Sequence, residues 1–188
     1  MHRLILLLSL LPILAAMTAR WWFGTRVLAS VGKRGCRCDL NRWLPAPGDD
    51  STVHHSSETA AFFGCELRHK ALAAWLAEAP KAAGARENTR RFGAAVPPLA
   101  TVVAAFALLV GKLPVLGVFA VLFGATALAA FMSLLSLPAE LQAIAREARR
   151  CREAKSFPDP DDEQAVIDCA IAHAWNAAPP PILRWLQG

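Results

Sequence analysis

The chain has 188 residues, little more than one ordinary domain at about 150 residues each. Hydrophobic types make up 55% of it and charged types 19%, with a mean hydropathy of +0.34, where a soluble domain carries about a quarter charged residues. That balance excludes a mainly disordered chain and a nucleic-acid-binding one, and the net charge of +5 rests on basic residues beside long apolar runs, which is a membrane pattern. Five cysteines, an odd number at no framework spacing, argue against a disulfide-stapled secreted mini-protein.

Charge is what the bilayer centre excludes most strongly, at about 2.5–3.5 kcal/mol per Lys, Arg or Asp, so charge-free stretches set the organisation. The first covers residues 4–19, between Arg3 and Arg20. It predicts an N-terminal membrane anchor over 1–22, with Arg20-Trp21-Trp22 as an interfacial belt. The rival reading is a cleaved signal peptide, because 4–17 is short and Leu-rich; Met17-Thr18-Ala19 is a poor cleavage site and favours the anchor.

Residues 23–91 follow as a helical segment. Leu44-Pro45-Ala46-Pro47-Gly48-Asp49-Asp50-Ser51 reads as a turn-rich linker, and 56–83 as mostly helix, rich in Ala, Leu and Glu, with Ser57 as its cap. Adjacent His54 and His55 point to opposite faces of an extended chain and read as surface histidines. His69 could face Cys65 one helical turn away, a two-ligand fragment that chance also supplies. Cys36 and Cys38 are too close for a zinc-knuckle spacing and lie among Lys33, Arg34 and Arg37, which would depress their thiol pKa if exposed; they read as reduced thiols. Cys151 and Cys169 read as filler, and Lys81 as an ion-pair partner of Glu78.

The stretches 92–111 and 113–139 are each long enough to cross a hydrocarbon core of about 30 Å. The link Gly111-Lys112-Leu113-Pro114 permits only an antiparallel transmembrane hairpin, the region 92–139. Arg86, Arg90 and Arg91 precede it, Arg146, Arg149, Arg150 and Arg152 follow it, and Lys112 alone sits at the tip. By the positive-inside tendency both flanks face the cytoplasm.

In the tail 140–188, a helix over 139–155 continues the second membrane helix, and the arginines at 146, 149, 150 and 152 would grip anionic lipid head groups. Pro158 to Pro160 breaks the chain, and Asp161, Asp162 and Glu163 start a last helix that runs to about Ala177. Pro179, Pro180 and Pro181 stop it and leave 182–186 as an amphipathic tail. Asp168, His173 and Asn176 make that last helix too polar for crossing to be assigned.

The order of these parts resembles the bacterial membrane-bound neutral zinc metallopeptidases of the YugP-like type. Those proteins have an N-terminal anchor, a helix bearing His-Glu-x-x-His-Ala, an Arg and Pro before a two-helix membrane segment, then Leu-Pro-x-Glu and two Ala-rich helices. Here Ala77-Glu78-Ala79-Pro80-Lys81-Ala82 stands where the metal-binding helix would lie, followed by Arg91, Pro97, Pro98, the hairpin and Leu137-Pro138-Ala139-Glu140. The likeness covers the anchor and about residue 53 onward.

In a zincin helix two imidazoles at i and i+4 bind the metal, and the Glu beside the first activates water as general base. The resemblance places Ala77 and Lys81 at the two histidine positions, Glu78 at the general-base position and Glu140 at a downstream third-ligand position. Alanine has no ligand atom, lysine brings a positive charge, and Pro80 breaks the helix, whereas catalytic zinc needs three protein ligands and an open position. Zinc would be expected only if the family activity were retained.

The reading is an all-α integral membrane protein: an anchor helix, a transmembrane hairpin and a small cytoplasmic helical layer. Its function is that of an inactive relative of the peptidases, a pseudopeptidase or membrane scaffold without bound cofactor, partnered by the lipid bilayer and not by nucleic acid. The alternatives are an active peptidase using Glu78, Glu140 and a histidine from 54, 55 or 69, or an unrelated hairpin protein. The last expects the helix holding Glu78 to stand apart from the helix after Leu137.

Overall fold

The computed structural model describes residues 2–39, 42–43 and 57–185. The linker 44–51, His54, His55 and the end of the amphipathic tail at Leu186 lie outside the described residues. The chain is mostly helical, and three of its helices are long and apolar enough to cross a membrane. It divides into two compact units, one of Met1–Ala19, Arg86–Ser136 and Ala177–Gly188, the other of Arg20–Ala85 and Leu137–Asn176.

The first unit holds α1 (His2–Ala19), most of α4 (Pro80–Leu109), the first part of α5 (Val115–Glu153) and the short α7 (Pro181–Trp185). A turn around Gly111, whose φ of 71° suits a residue without Cβ, joins α4 to α5. Along α4, Arg86 bonds Ser133 and Ser136 of α5, while Gly93 faces Ala129. The partner recedes as α4 advances, so the pair is antiparallel, as the tight link predicts. Ile13 and Ala16 of α1, Ala127 and Ala130 of α5 and Leu183 of α7 form a small core. Leu7, Leu11, Leu99, Val102, Val103, Phe106 and Leu109 lie exposed on the outside, an apolar coat that water does not favour.

The second unit begins with a π-helical turn (Arg20–Thr25) and α2 (Arg26–Ser30). Gly24 lets this turn close on Asn176 at the end of α6 (Pro160–Ala177): a Cβ there would meet Asn176 Oδ1 at 2.9 Å. Arg20 Nε and Thr25 Oγ1 donate to the same oxygen at 3.2 and 3.3 Å.

The all-α expectation needs one correction. Strand β1 (Gly35–Arg37) pairs antiparallel with β2 (Ser57–Thr59), Cys36 opposite Glu58. The strand signal is only three residues long on each side, too short to read by periodicity. Ser57 therefore lies in a strand. Thr59 is the cap, with extended backbone and its Oγ1 accepting from Phe62 N at 3.3 Å.

From that cap α3 (Ala60–Glu78) buries Ala60, Phe63, Gly64, Leu67, Ala71 and Trp75, a helical spacing that makes one continuous face. It stops at Ala79, and Pro80 becomes the first residue of α4, where its missing N–H costs nothing. The expected helix over 56–83 is thus two helices. Pro138, by contrast, sits inside α5 and withholds one backbone hydrogen bond. Helix α6 opens at Pro160 with Asp161, Asp162 and Glu163 in its first turn and ends before the prolines, as expected; the segment after them forms α7.

Candidate functional site

Both carboxylates singled out in the sequence lie where α3 meets the second half of α5. Glu140 is 1% exposed, and Arg68 of α3 reaches its Oε1 through Nε at 2.8 Å and Nη2 at 2.7 Å. Ten residues further along each helix, Glu78 meets Arg150, with Oε1 2.6 Å from Nη2, and Arg146 with Oε2 3.4 Å from Nη1. The two ties run in the same order on both helices, so α3 and α5 are parallel here, with the ties about 15 Å apart at 1.5 Å per residue.

Glu78 is solvent-exposed, and the hydrogen bond from Arg150, then the charges of Arg150 and Arg146, hold its carboxyl below the usual glutamate range. A carboxylate so held is a weak base and a poor proton acceptor for water. Lys81, the expected partner, belongs to α4, while Glu78 is engaged by the two arginines of α5. Ala77 is exposed on the last turn of α3, so the break at Ala79 sets the two positions of the histidine pair on different helices. Of the arginine cluster, Arg146 and Arg150 are engaged by Glu78, Arg150 also by Glu147, and Arg152 by Glu163 at 2.6 Å.

Behind this face lies a buried lysine that sequence reasoning passed over. Lys70 is 7% exposed, its ammonium 3.8 Å from the centroid of the Trp43 ring. Burial lowers the Lys70 pKa, against the charges of Cys151, Glu147 and Glu66, which raise it. Trp43 donates its Nε1–H to Glu66 Oε2 at 3.1 Å and packs edge-on against Phe63 and Phe157. A lysine within a helical run carries no mark of burial; only its place beside Leu67 and Ala71 on the inner face of α3 could have suggested it.

The cysteines do not meet the condition of exposure on which a depressed thiol pKa depended. Cys36 and Cys38 are buried, and burial first of all pushes their thiols up, to about 11 and about 12, with Asp162 adding to the rise at Cys36. The charge of Arg34 does lower the Cys36 thiol, but Arg34 is paired with Asp162 at 2.9 Å, and burial together with the Asp162 charge outweighs it. Cys65 is half-buried with its thiol also raised, His69 is exposed, and Cys151 and Cys169 are buried. Among the described residues no group of three His, Cys, Asp or Glu comes together to hold a metal ion.

In the first unit Arg86, counted in the sequence only as a flanking charge, is 4% exposed. Its Nη1 donates to the Ser133 carbonyl at 3.0 Å and to Ser136 Oγ at 2.6 Å, while Ser133 Oγ donates to the Ala178 carbonyl. The network stitches α4, α5 and the turn before α7.

Comparison of this chain with family models, with curated proteins and with solved structures gave no match.

Proposed function

We propose that this chain is an integral membrane protein of the cell or inner membrane, a relative of the YugP-like neutral zinc metallopeptidases whose catalytic centre has become a structural clasp. Its soluble unit faces the cytoplasm and acts as a non-catalytic scaffold. The observation that carries this reading is the state of Glu140. A third metal ligand has to be free to bind a cation, and here the carboxylate at that position is buried and neutralised by Arg68. Glu78, at the general-base position, is likewise taken by Arg146 and Arg150. The close approach of α3 to α5 supports family descent over an unrelated hairpin, which expects those helices apart.

Membrane placement draws support from the three apolar helices and from the exposed leucines, valines and phenylalanines of the first unit. The test is metal analysis of the detergent-purified protein together with a casein cleavage assay. The reading expects less than a tenth of an equivalent of zinc and no cleavage that a chelator abolishes. Stoichiometric zinc with chelator-sensitive cleavage overturns it.

A further inference from the structure

Two cavities of the first unit join along α4. One, of about 200 Å³, has Arg90, Arg91, Thr89 and Ser133 on its wall; the other, of about 250 Å³, is lined by Pro98 and Ile182 and is almost wholly apolar. Gly93, Ala94 and Pro181 line both, so the two are ends of one groove. Its polar end carries two arginines and its other end none. From Arg90 to Pro98 the groove follows α4 for about 12 Å at 1.5 Å per residue. The change from polar to apolar falls at Phe92, where the charge-free stretch of the helix begins.

The arginines are held ready. Glu87 pairs with Arg91 through Nε at 3.1 Å and with Arg90 through Nη1 at 3.5 Å. A guanidinium has five N–H donors in a fork that suits phosphate, so each keeps donors beyond the one that Glu87 engages. Both side chains are solvent-accessible, at 43% for Arg90 and 76% for Arg91. One carboxylate against two guanidiniums leaves the polar end with net positive charge.

We infer that this groove is a binding site for one anionic phospholipid, its phosphate at Arg90 and Arg91 and one acyl chain laid past Ala94 along Pro98 and Ile182. A free phosphate would use only the arginine end; a neutral lipid would gain nothing from the two charges. The inference rests on the membrane placement proposed above and on none of the peptidase ancestry.

The test measures phosphatidylglycerol, phosphatidylcholine and glycerol 3-phosphate bound to the full-length protein in detergent micelles by native mass spectrometry. The expected result is one phosphatidylglycerol per chain, retained at least tenfold better than phosphatidylcholine, with glycerol 3-phosphate not retained. Ala94→Trp fills the waist at an exposed position and abolishes retention; the double change Arg90→Gln, Arg91→Gln removes the tenfold preference; Lys112→Gln, at the hairpin tip, leaves both unchanged. Equal retention of the two lipids, retention unaffected by Ala94→Trp, or an equal loss with Lys112→Gln overturns the proposal. Carbonate extraction of the same variants from membranes separates this failure from that of membrane placement: a chain that stays in the membrane but shows any of those three results loses the groove alone.

Discussion

Gly64 of α3 meets Cys169 of α6 so closely that a Cβ on the glycine would lie 2.6 Å from the Cys169 Cβ and 2.8 Å from the Ala170 backbone nitrogen. Backbone cannot step aside as a flexible side chain can. Gly64→Ala therefore forces the two helices apart, at about 1–3 kcal/mol for overpacking of this kind. Gly84 on α4 has nothing within 4 Å of its would-be Cβ, and Gly84→Ala should stabilise by about 0.5–1 kcal/mol through helix propensity. Thermal unfolding in detergent, monitored by circular dichroism, should move in opposite directions for the two variants.

The Arg68–Glu140 pair lies almost wholly out of water, with side-chain exposures of 11% and 1%. Removing one partner breaks a buried ion pair, so Arg68→Met or Glu140→Met alone should cost about 3–5 kcal/mol. Replacing both with methionine should recover most of that loss, since apolar pairs of similar volume are often as stable as buried ion pairs. A double-mutant cycle by chemical denaturation checks this. Additive losses would show that the two side chains do not act together.

His173 gives the protein an acid-sensitive contact. Its Nε2 lies 2.9 Å from the Ala61 carbonyl, which assigns the neutral ring a proton on that nitrogen. Burial lowers its pKa, and the nearby charges of Arg68 and His69 push the same way, while the Ala61 bond opposes them. The unfolded chain thus takes up the proton first as pH falls. The stabilisation is complete above the unfolded value of about 6.5 and is lost progressively as pH drops through the folded pKa. Stability measured from pH 7.5 to 5 should fall for the native protein, and His173→Gln should flatten that part of the curve.

Thiol reactivity offers a separate check. With Cys36 at about 11 and Cys38 at about 12, little thiolate is present near neutrality, and burial restricts access as well. Iodoacetamide at pH 7.5 should label these two in the folded protein at least tenfold more slowly than in the denatured chain, the thiolate being the nucleophile. Mass spectrometry of timed samples reads the difference at each site.

Much of the helical layout was legible before any coordinates. The charge-free runs mark α1, the outer part of α4 and the first part of α5, and prolines mark the end of α6, because charge and proline act locally and at high cost. Features resting on distant partners were hidden. Nothing in a three-residue run around Cys36 announces that it pairs with residues near Glu58. The presence of Pro80 was visible, but reading it as a fault inside one helix missed that it begins the next. At the candidate site, Glu78 and Glu140 were visible as carboxylates, yet their partners Arg150 and Arg68 each lie 72 residues away in sequence. Local pattern cannot choose among twenty cationic residues for such a partner.

That separation also dictates a schedule. Helix α3 leaves the ribosome long before the segment that completes its inner face, because α4 and most of α5 must be made first. Until then Lys70, Arg68 and the aromatic side chains of the second unit have no finished shelter. Their docking is a late event, set by synthesis of both strongly apolar helices and not by any folding tendency of α3 alone.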